Sequence, residues 1–365
     1  MPGTAQTVPP YLEVYKTVVS PANKFSNVQS FDMNIGRQNV SDPFTAGRCT
    51  ITGRVPSSLP SLLIGDTVVT TLNTKAGATV IYTELLWRVK DLTINYGEVA
   101  AMDTWTLELE DSLAYLGRAT VPTRTITAGT NVATAAATIC TDAGLTLFQV
   151  GTTLAKSSAQ TVTGQNAAEV FYNLASAEYA WIYPGTSIQV GWLSRNAWLA
   201  LDLLVTFSDN NTGDLTYNEL EFTSLADNYA DKVVVQPIGT TEVVTGTGIF
   251  SYNINTYSET TSDATNLGNF LLGILDLQVS RPFAITYLLN SQPIEYAHYG
   301  FQRTPHICGI KFRGTTYYAR YLGFNISGDQ TATYVTSYLM PNESFNYFVL
   351  DSTILGTLDN NKLGW

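Results

Sequence analysis

The chain has 365 residues, of which 45% are hydrophobic and only 13% charged, and its 30 acidic residues outweigh 19 basic ones for a formal charge of −11. Its length predicts about two to three domains, its acidic balance argues against nucleic acid or an anionic membrane as a partner, and an aromatic content of 12% excludes disorder. No Lys or Arg precedes the first apolar stretch, so the start does not read as a secretory signal and the mature chain is expected to begin here. The longest apolar run, residues 267–279, is too short for a membrane span and carries Asp276.

The first third alternates with period two. Phe31, Met33 and Ile35 oppose Asp32 and Asn34. Gly47, Cys49, Ile51, Gly53 and Val55 oppose Arg48, Thr50, Thr52 and Arg54, while Trp105, Leu107 and Leu109 oppose Thr104, Thr106 and Glu108. Each is a strand with one wet face. Residues 80–97 are equally β-rich, and a phase slip near Leu85 to Trp87 predicts a bulge. Asp111 and Ser112 are placed to cap a short helix over LAYLG. Residues 1–122 are therefore expected to form one antiparallel β-barrel or sandwich.

The period then changes. Val132, Ala136, Ile139 and Cys140 form a helical stripe closed by Gly144. Ala167, Val170, Phe171, Leu174 and Ala177 form a second, followed by the strand pair AWIYP and SIQVGWL around Pro184-Gly185. Residues 123–208 read as a small α/β domain. Strands return over 209–345 in KVVVQPI, TEVVTG, FAITYLL, CGIKF, TYYARYLGFNI and ATYVTSYLM, interrupted by a helix that begins near a capping Ser262 or Asp263. Residues 346–365 are too sparse in apolar groups for a domain and read as a tail that packs on a neighbour or partner.

The sequence contains no HExxH, GxSxG, phosphate-loop or dinucleotide glycine motif. Cys49, Cys140 and Cys308 form no CxxC and read as small core residues. His298 and His306 are the only histidines; alternation would set His306 beside Cys308, but no orienting acid is identifiable. Glu108 and Glu110, at i and i+2, read as solvated charge on the outward face of a strand, not as a hydrolase pair. The aromatic strands TTYYARYLGF and AEYAWIYP read as packing or interface in preference to a sugar-stacking platform built on Trp181 and Trp192. No catalytic, metal or cofactor site is assigned, and the residues describe a mostly β structural or binding protein.

Seven segments carry a resemblance. SFDMNIGRQNVSDPFTAGRCTITGRV, LLIGDTVVTTL, WRVKDLTINYG and DTWTLELEDSLAYLGRA contain Gly36, Arg37, Phe44, Ala46, Gly47, Ile64, Gly65, Asp66 and Arg118. NAAEVFYNLASAEYAWIYPGTSIQVGWLSRN gives a helix and hairpin ending near Arg195, and DLTYNELEFTSLADNYADKVVV leads into the next domain. FVLDSTILGTLDNNKLGW contributes Leu350, Asp351, Gly356, Leu358, Asp359, Leu363, Gly364 and Trp365. In this order the segments resemble the minor tail proteins, or baseplate-hub-like tail proteins, of long non-contractile-tailed bacteriophages.

The resemblance implies a mainly β fold with α+β parts: two tube-like antiparallel β-barrel domains, 1–122 and 209–345, with the small α/β domain 123–208 between them and an anchoring segment at 346–365. It further implies a non-enzymatic hub ring, a homotrimer at the distal end of the virion tail. Its implied partners are the tail tube, the distal tail protein, the tape-measure protein and receptor-binding or tip proteins, with DNA as passing cargo. A six-fold distal tail protein and a host-glycan-binding tail module are the alternatives.

Overall fold

Residues 8–38, 46–55, 61–76, 79–185, 188–223, 229–275, 281–293, 295–301 and 305–341 are described by the structure, a computed structural model. The alternating segments of the first third become the strands Val28–Gly36, Arg48–Arg54 and Thr104–Glu110, and their apolar members are buried as the spacing requires. Residues 79–95 form one long strand in which Leu85, Trp87 and Val89 remain in phase and buried. The bulge comes later than expected: the register shifts between Val89 and Asp91, against the strand Thr104–Glu110. Leu85 to Trp87 pair without interruption to Thr70, Val69 and Val68, so the run of Leu85, Leu86 and Trp87 reflects a half-buried residue on the wet face and not a slip.

The chain is mainly β, and most of its strands join one 14-stranded sheet. The junction lies where Val28–Gly36 pairs antiparallel with the second half of Thr315–Asp329, from Gly36 opposite Gly323 to Ser30 opposite Asp329. The first half of Thr315–Asp329 pairs along that same edge with Ile307–Phe312, and the opposite edge of the strand pairs with Thr333–Pro341. Strands from both β-rich stretches of the sequence therefore share a sheet, and a single core cluster runs from Leu12, Phe31 and Trp105 to Phe207, Tyr287 and Leu339. Burying each such large apolar side chain stabilises the fold by roughly 1.5–3 kcal/mol.

Two smaller α/β units pack outside this sheet. In the first, Thr146–Val150, Gln189–Leu193 and Trp181–Pro184 form a three-stranded mixed sheet. Alternation divides its faces: Ile182, Val190 and Trp192 pack on the helices Val132–Asp142 and Ala167–Glu178, while Trp181, Tyr183 and Leu193 enter a different cluster. Asn131 and Asn166 cap those helices, each accepting two backbone N–H groups. In the second unit, Lys232–Pro237 lies between Val243–Gly246 and Ser251–Thr256, covered by the helix Thr261–Leu275. Its cap is Thr260, two or three residues before the expected start. Thr260 Oγ1 accepts the Asp263 N–H at 3.1 Å and donates to Asp263 Oδ2 at 2.7 Å, so one hydroxyl both caps the helix and holds the Asp263 carboxylate. Among the described residues no helix is long and apolar enough to cross a membrane, which leaves strand-based crossing unaddressed.

Candidate assembly surfaces

The wet face of the large sheet is a ladder of small polar side chains crossed by charge. One row, read across successive strand pairs, runs Glu219, Thr286, Thr336, Asn325, Asn34, Arg48, Glu110, Arg88 and Thr67. Hydroxyl and amide contacts knit neighbouring strands along it, with Thr286 to Thr336 at 2.9 Å, Ser30 to Thr52 at 2.6 Å and Asn325 Nδ2 to Asp32 at 3.4 Å. Lys90 pairs with Glu108 at 2.6 Å and Arg118 with Glu110 at 2.7 Å. Glu108 is solvated as expected, but Glu110 is only 4% exposed. The reason is position: Glu110 is the last residue of its strand, where the following helical turn and Arg118 cover it. Burial raises its carboxyl above the ordinary value, and Arg118, Lys90, Arg88 and Arg48 pull it back.

The motif residues fall at three places on this sheet. Gly36 (φ 86°) ends its strand against Gly323, so close that a Cβ there would meet Leu322 O at 2.6 Å. In the second place, Leu63, Ile64, Gly65 and Asp66 form a tight turn in which Asp66 N–H donates to Leu63 O at 3.0 Å and Gly65 takes φ 88°. The Asp66 carboxylate accepts the Leu63 N–H at 2.9 Å, which chiefly holds its pKa below the ordinary value, and pairs with Lys16 at 3.2 Å. The turn leaves Ile64 74% exposed.

The third place joins Ala46 and Gly47 to Asp111. The Gly47 N–H donates to Asp111 Oδ2 at 2.6 Å, and Asp111 Oδ1 accepts the Ala114 N–H at 2.9 Å as cap of the helix Ser112–Leu116. Asp111→Ala would strand both donors and should cost about 2–4 kcal/mol in denaturant unfolding, with Asp111→Asn keeping part of it. Phe44, Leu350, Asp351, Gly356, Leu358, Asp359 and Trp365 lie outside the described residues, as does the whole anchoring segment 346–365.

An arginine–aromatic junction that the sequence reading missed ties the sheet to the outer units. Arg37 is 4% exposed, with its guanidinium 4.9 Å from the Trp181 ring and 3.4 Å from Tyr179 Oη. Trp181 stacks on Trp198 at 5.6 Å, and Phe270 closes the group from the helix Thr261–Leu275. Arg320 enters from the large sheet, donating to the carbonyl oxygens of Trp198 and Leu199 at the end of the helix Arg195–Leu199. Tyr179 reaches the cluster because it closes the helix Ala167–Glu178 in the left-handed region (φ 54°), where glycine is the usual choice. The available sequence signal is an arginine embedded in TTYYARYLGF, a run buried on both faces from Ala319 to Phe324.

Beneath the junction, the buried Glu178 carboxylate accepts the N–H groups of Leu154 and Ala155 at 3.1 and 3.2 Å. Burial nevertheless raises its pKa above the ordinary 4.5. A carboxyl raised on folding binds more protons in the folded state, so this group's contribution to stability declines as pH rises through 4.5 towards the folded value. Glu178→Gln keeps an acceptor and should flatten that decline, which stability curves measured across this pH range would detect.

Trp181 and Trp192 are 4% and 0% exposed. Neither is available to stack a sugar, and both serve packing. All three cysteines are buried, and burial pushes the Cys308 thiol up, holding it in the unreactive protonated form. His306 is buried against Tyr321, with rings 4.6 Å apart.

No protein-family model and no curated protein sequence matches this chain. Solved structures do. The 43 kDa tail protein of prophage MuSo2 from Shewanella oneidensis superposes with a TM-score of 0.64 at 9% identity, over 92% of this chain and 99% of that one. A tail protein from Neisseria meningitidis MC58 gives 0.63 at 10% identity, over 91% and 96%. This chain has the fold of those tail proteins. An Escherichia coli component of the type VI secretion system, itself described as similar to the T4 bacteriophage tail proteins gp27 and gp5, gives 0.50 at 9% identity over 91% of this chain and 76% of that one.

Proposed function

We propose that this chain is a structural, non-enzymatic component of a phage tail, forming the hub ring at its distal end. The observation that carries this reading is the likeness to two tail proteins over almost the full length of all three chains. In this reading the two β-rich stretches act as tube-like barrel domains and the α/β units stand outside them. The ring is a homotrimer that joins the tail tube and distal tail protein, with the tape-measure protein, to the receptor-binding or puncturing tip. Residues 346–365 anchor to a neighbour, and DNA passes as cargo through a conduit whose acidic chains repel phosphate.

Electron microscopy of tail particles carrying the protein tests this. Three copies around a ring at the distal tip support the hub, six copies transfer the role to a distal tail protein, and density for this chain away from the tail overturns the reading.

A further inference from the structure

We propose that copies of this chain meet head to tail through charge, the edge strand Glu219–Thr223 of one copy against the cluster of Arg48, Arg88, Lys90 and Arg118 on the next. The proposal rests on the ring reading and adds the surface that forms it.

Charge is unevenly divided along the sequence. Ten basic residues face eleven acidic ones before position 125, whereas nine face nineteen after it. The large sheet displays this division on one face, because the row that begins at Glu219 passes through Arg48, Glu110 and Arg88 near its far end. All four cations act electrostatically on Glu110. Arg48 is exposed, and the side chains of Lys90 and Arg118 are each 45% exposed.

At the other end, Glu219 and Glu221 are exposed on a strand that pairs only with Arg281–Leu288 among the described residues. Neither carboxylate has an ion pair among the described residues.

Five strand spacings separate Glu219 from Arg48, about 24 Å along the sheet. That exceeds both ion-pair range and a Debye length of about 8 Å at physiological salt. Within one molecule Glu219 and Glu221 cannot reach these cations, of which Lys90 and Arg118 also hold Glu108 and Glu110; a second copy brings the two ends together. Joining unlike ends is a heterologous contact, which closes into a ring when its rotation allows, and opposite charge at the two ends fixes the direction of approach.

The test is sedimentation velocity on the full-length chain at about 50 and about 500 mM salt, a range over which screening of exposed pairs becomes severe. Three proteins suffice: the wild type, Glu219→Lys with Glu221→Lys, and Arg48→Glu with Lys90→Glu. Association of the wild type should weaken at least tenfold at the higher salt, and each reversed variant should associate at least tenfold more weakly than wild type. An equimolar mixture of the two reversed variants should regain association, a recovery that misfolded chains could not give.

Wild-type oligomers indifferent to salt and to both reversals would overturn the charged contact while leaving a ring built on another surface. A wild type that stays monomeric at low salt and high concentration would also overturn it, and the subunit count in tail particles would then judge the ring reading separately.

Discussion

Gly36→Ala is expected to destabilise the protein by about 3–5 kcal/mol, combining overpacking with the strain of a left-handed alanine, and Gly323→Ala by about 1–3 kcal/mol through overpacking alone. The two glycines face one another where Val28–Gly36 meets Thr315–Asp329. A Cβ on Gly36 would meet Leu322 O at 2.6 Å, and one on Gly323 would meet Ile35 O at 2.5 Å and Arg37 N at 2.8 Å. These are backbone atoms in paired strands, so no side-chain rotation relieves them. Gly65 provides the control: it has φ 88° but open space around its Cβ position, and Gly65→Ala should cost only about 1–2 kcal/mol. Denaturant midpoints at constant slope would separate these cases. Equal effects at Gly36 and Gly65 would mean that conformation, not the close approach of strands, explains Gly36.

Trp198→Ala should cost about 3–5 kcal/mol, the range for removing a large buried aromatic side chain. Trp198 is fully buried, stacks on Trp181, and meets Tyr179 and Phe270 edge-on. The Arg320 guanidinium lies 5.2 Å from its ring, so truncation also removes the face on which that buried cation rests. Trp198→Phe should recover more than half of the loss. Because the cluster joins the large sheet to the outer units, Trp198→Ala should also expose the outer units to limited proteolysis before global unfolding. Cleavage no faster than in wild type would show that the junction is not what holds them.

Strand and helix identities were legible wherever one face is wet. The alternation from Phe31 to Ile35 and from Trp105 to Leu109 reports a two-faced sheet directly, and the stripes in Val132–Asp142 and Ala167–Glu178 do the same for helices. The phase of residues 85–87 misled because Leu86 is a leucine on the wet face, where alternation expects a polar group. Glu110 misled for the converse reason, since a strand end loses its wet face to the turn that follows.

The pairing of Val28–Gly36 with Thr315–Asp329 leaves no local trace at all. It depends on which strand edges remain open after each segment has folded, and nothing in either segment names the other. The arginine–aromatic junction was hidden similarly: Arg37, Tyr179, Trp198 and Arg320 are far apart in sequence, and although Arg37 belongs to the motif residues, nothing local says that it meets the other three. Of the motif residues, Gly36, Gly47 and Gly65 have visible conformational or contact reasons for being glycine, which a pattern of turns and strand ends partly discloses.

The long strand Thr315–Asp329 has a consequence for how the chain is made. Asn325 on that strand bonds Asp32 across 293 positions, so the strand Val28–Gly36 emerges from the ribosome with one edge unpaired until almost all of the remaining chain has been synthesised. Non-local pairing of this kind slows folding and leaves a β edge open to misassociation meanwhile. Ribosome-stalled chains ending before residue 315 should accordingly be aggregation-prone and protease-sensitive in their first β segment, and chains that include the strand should acquire protection there abruptly. Late completion would also withhold the finished sheet until synthesis is nearly over, so any contact that needs its complete surface can form only afterwards.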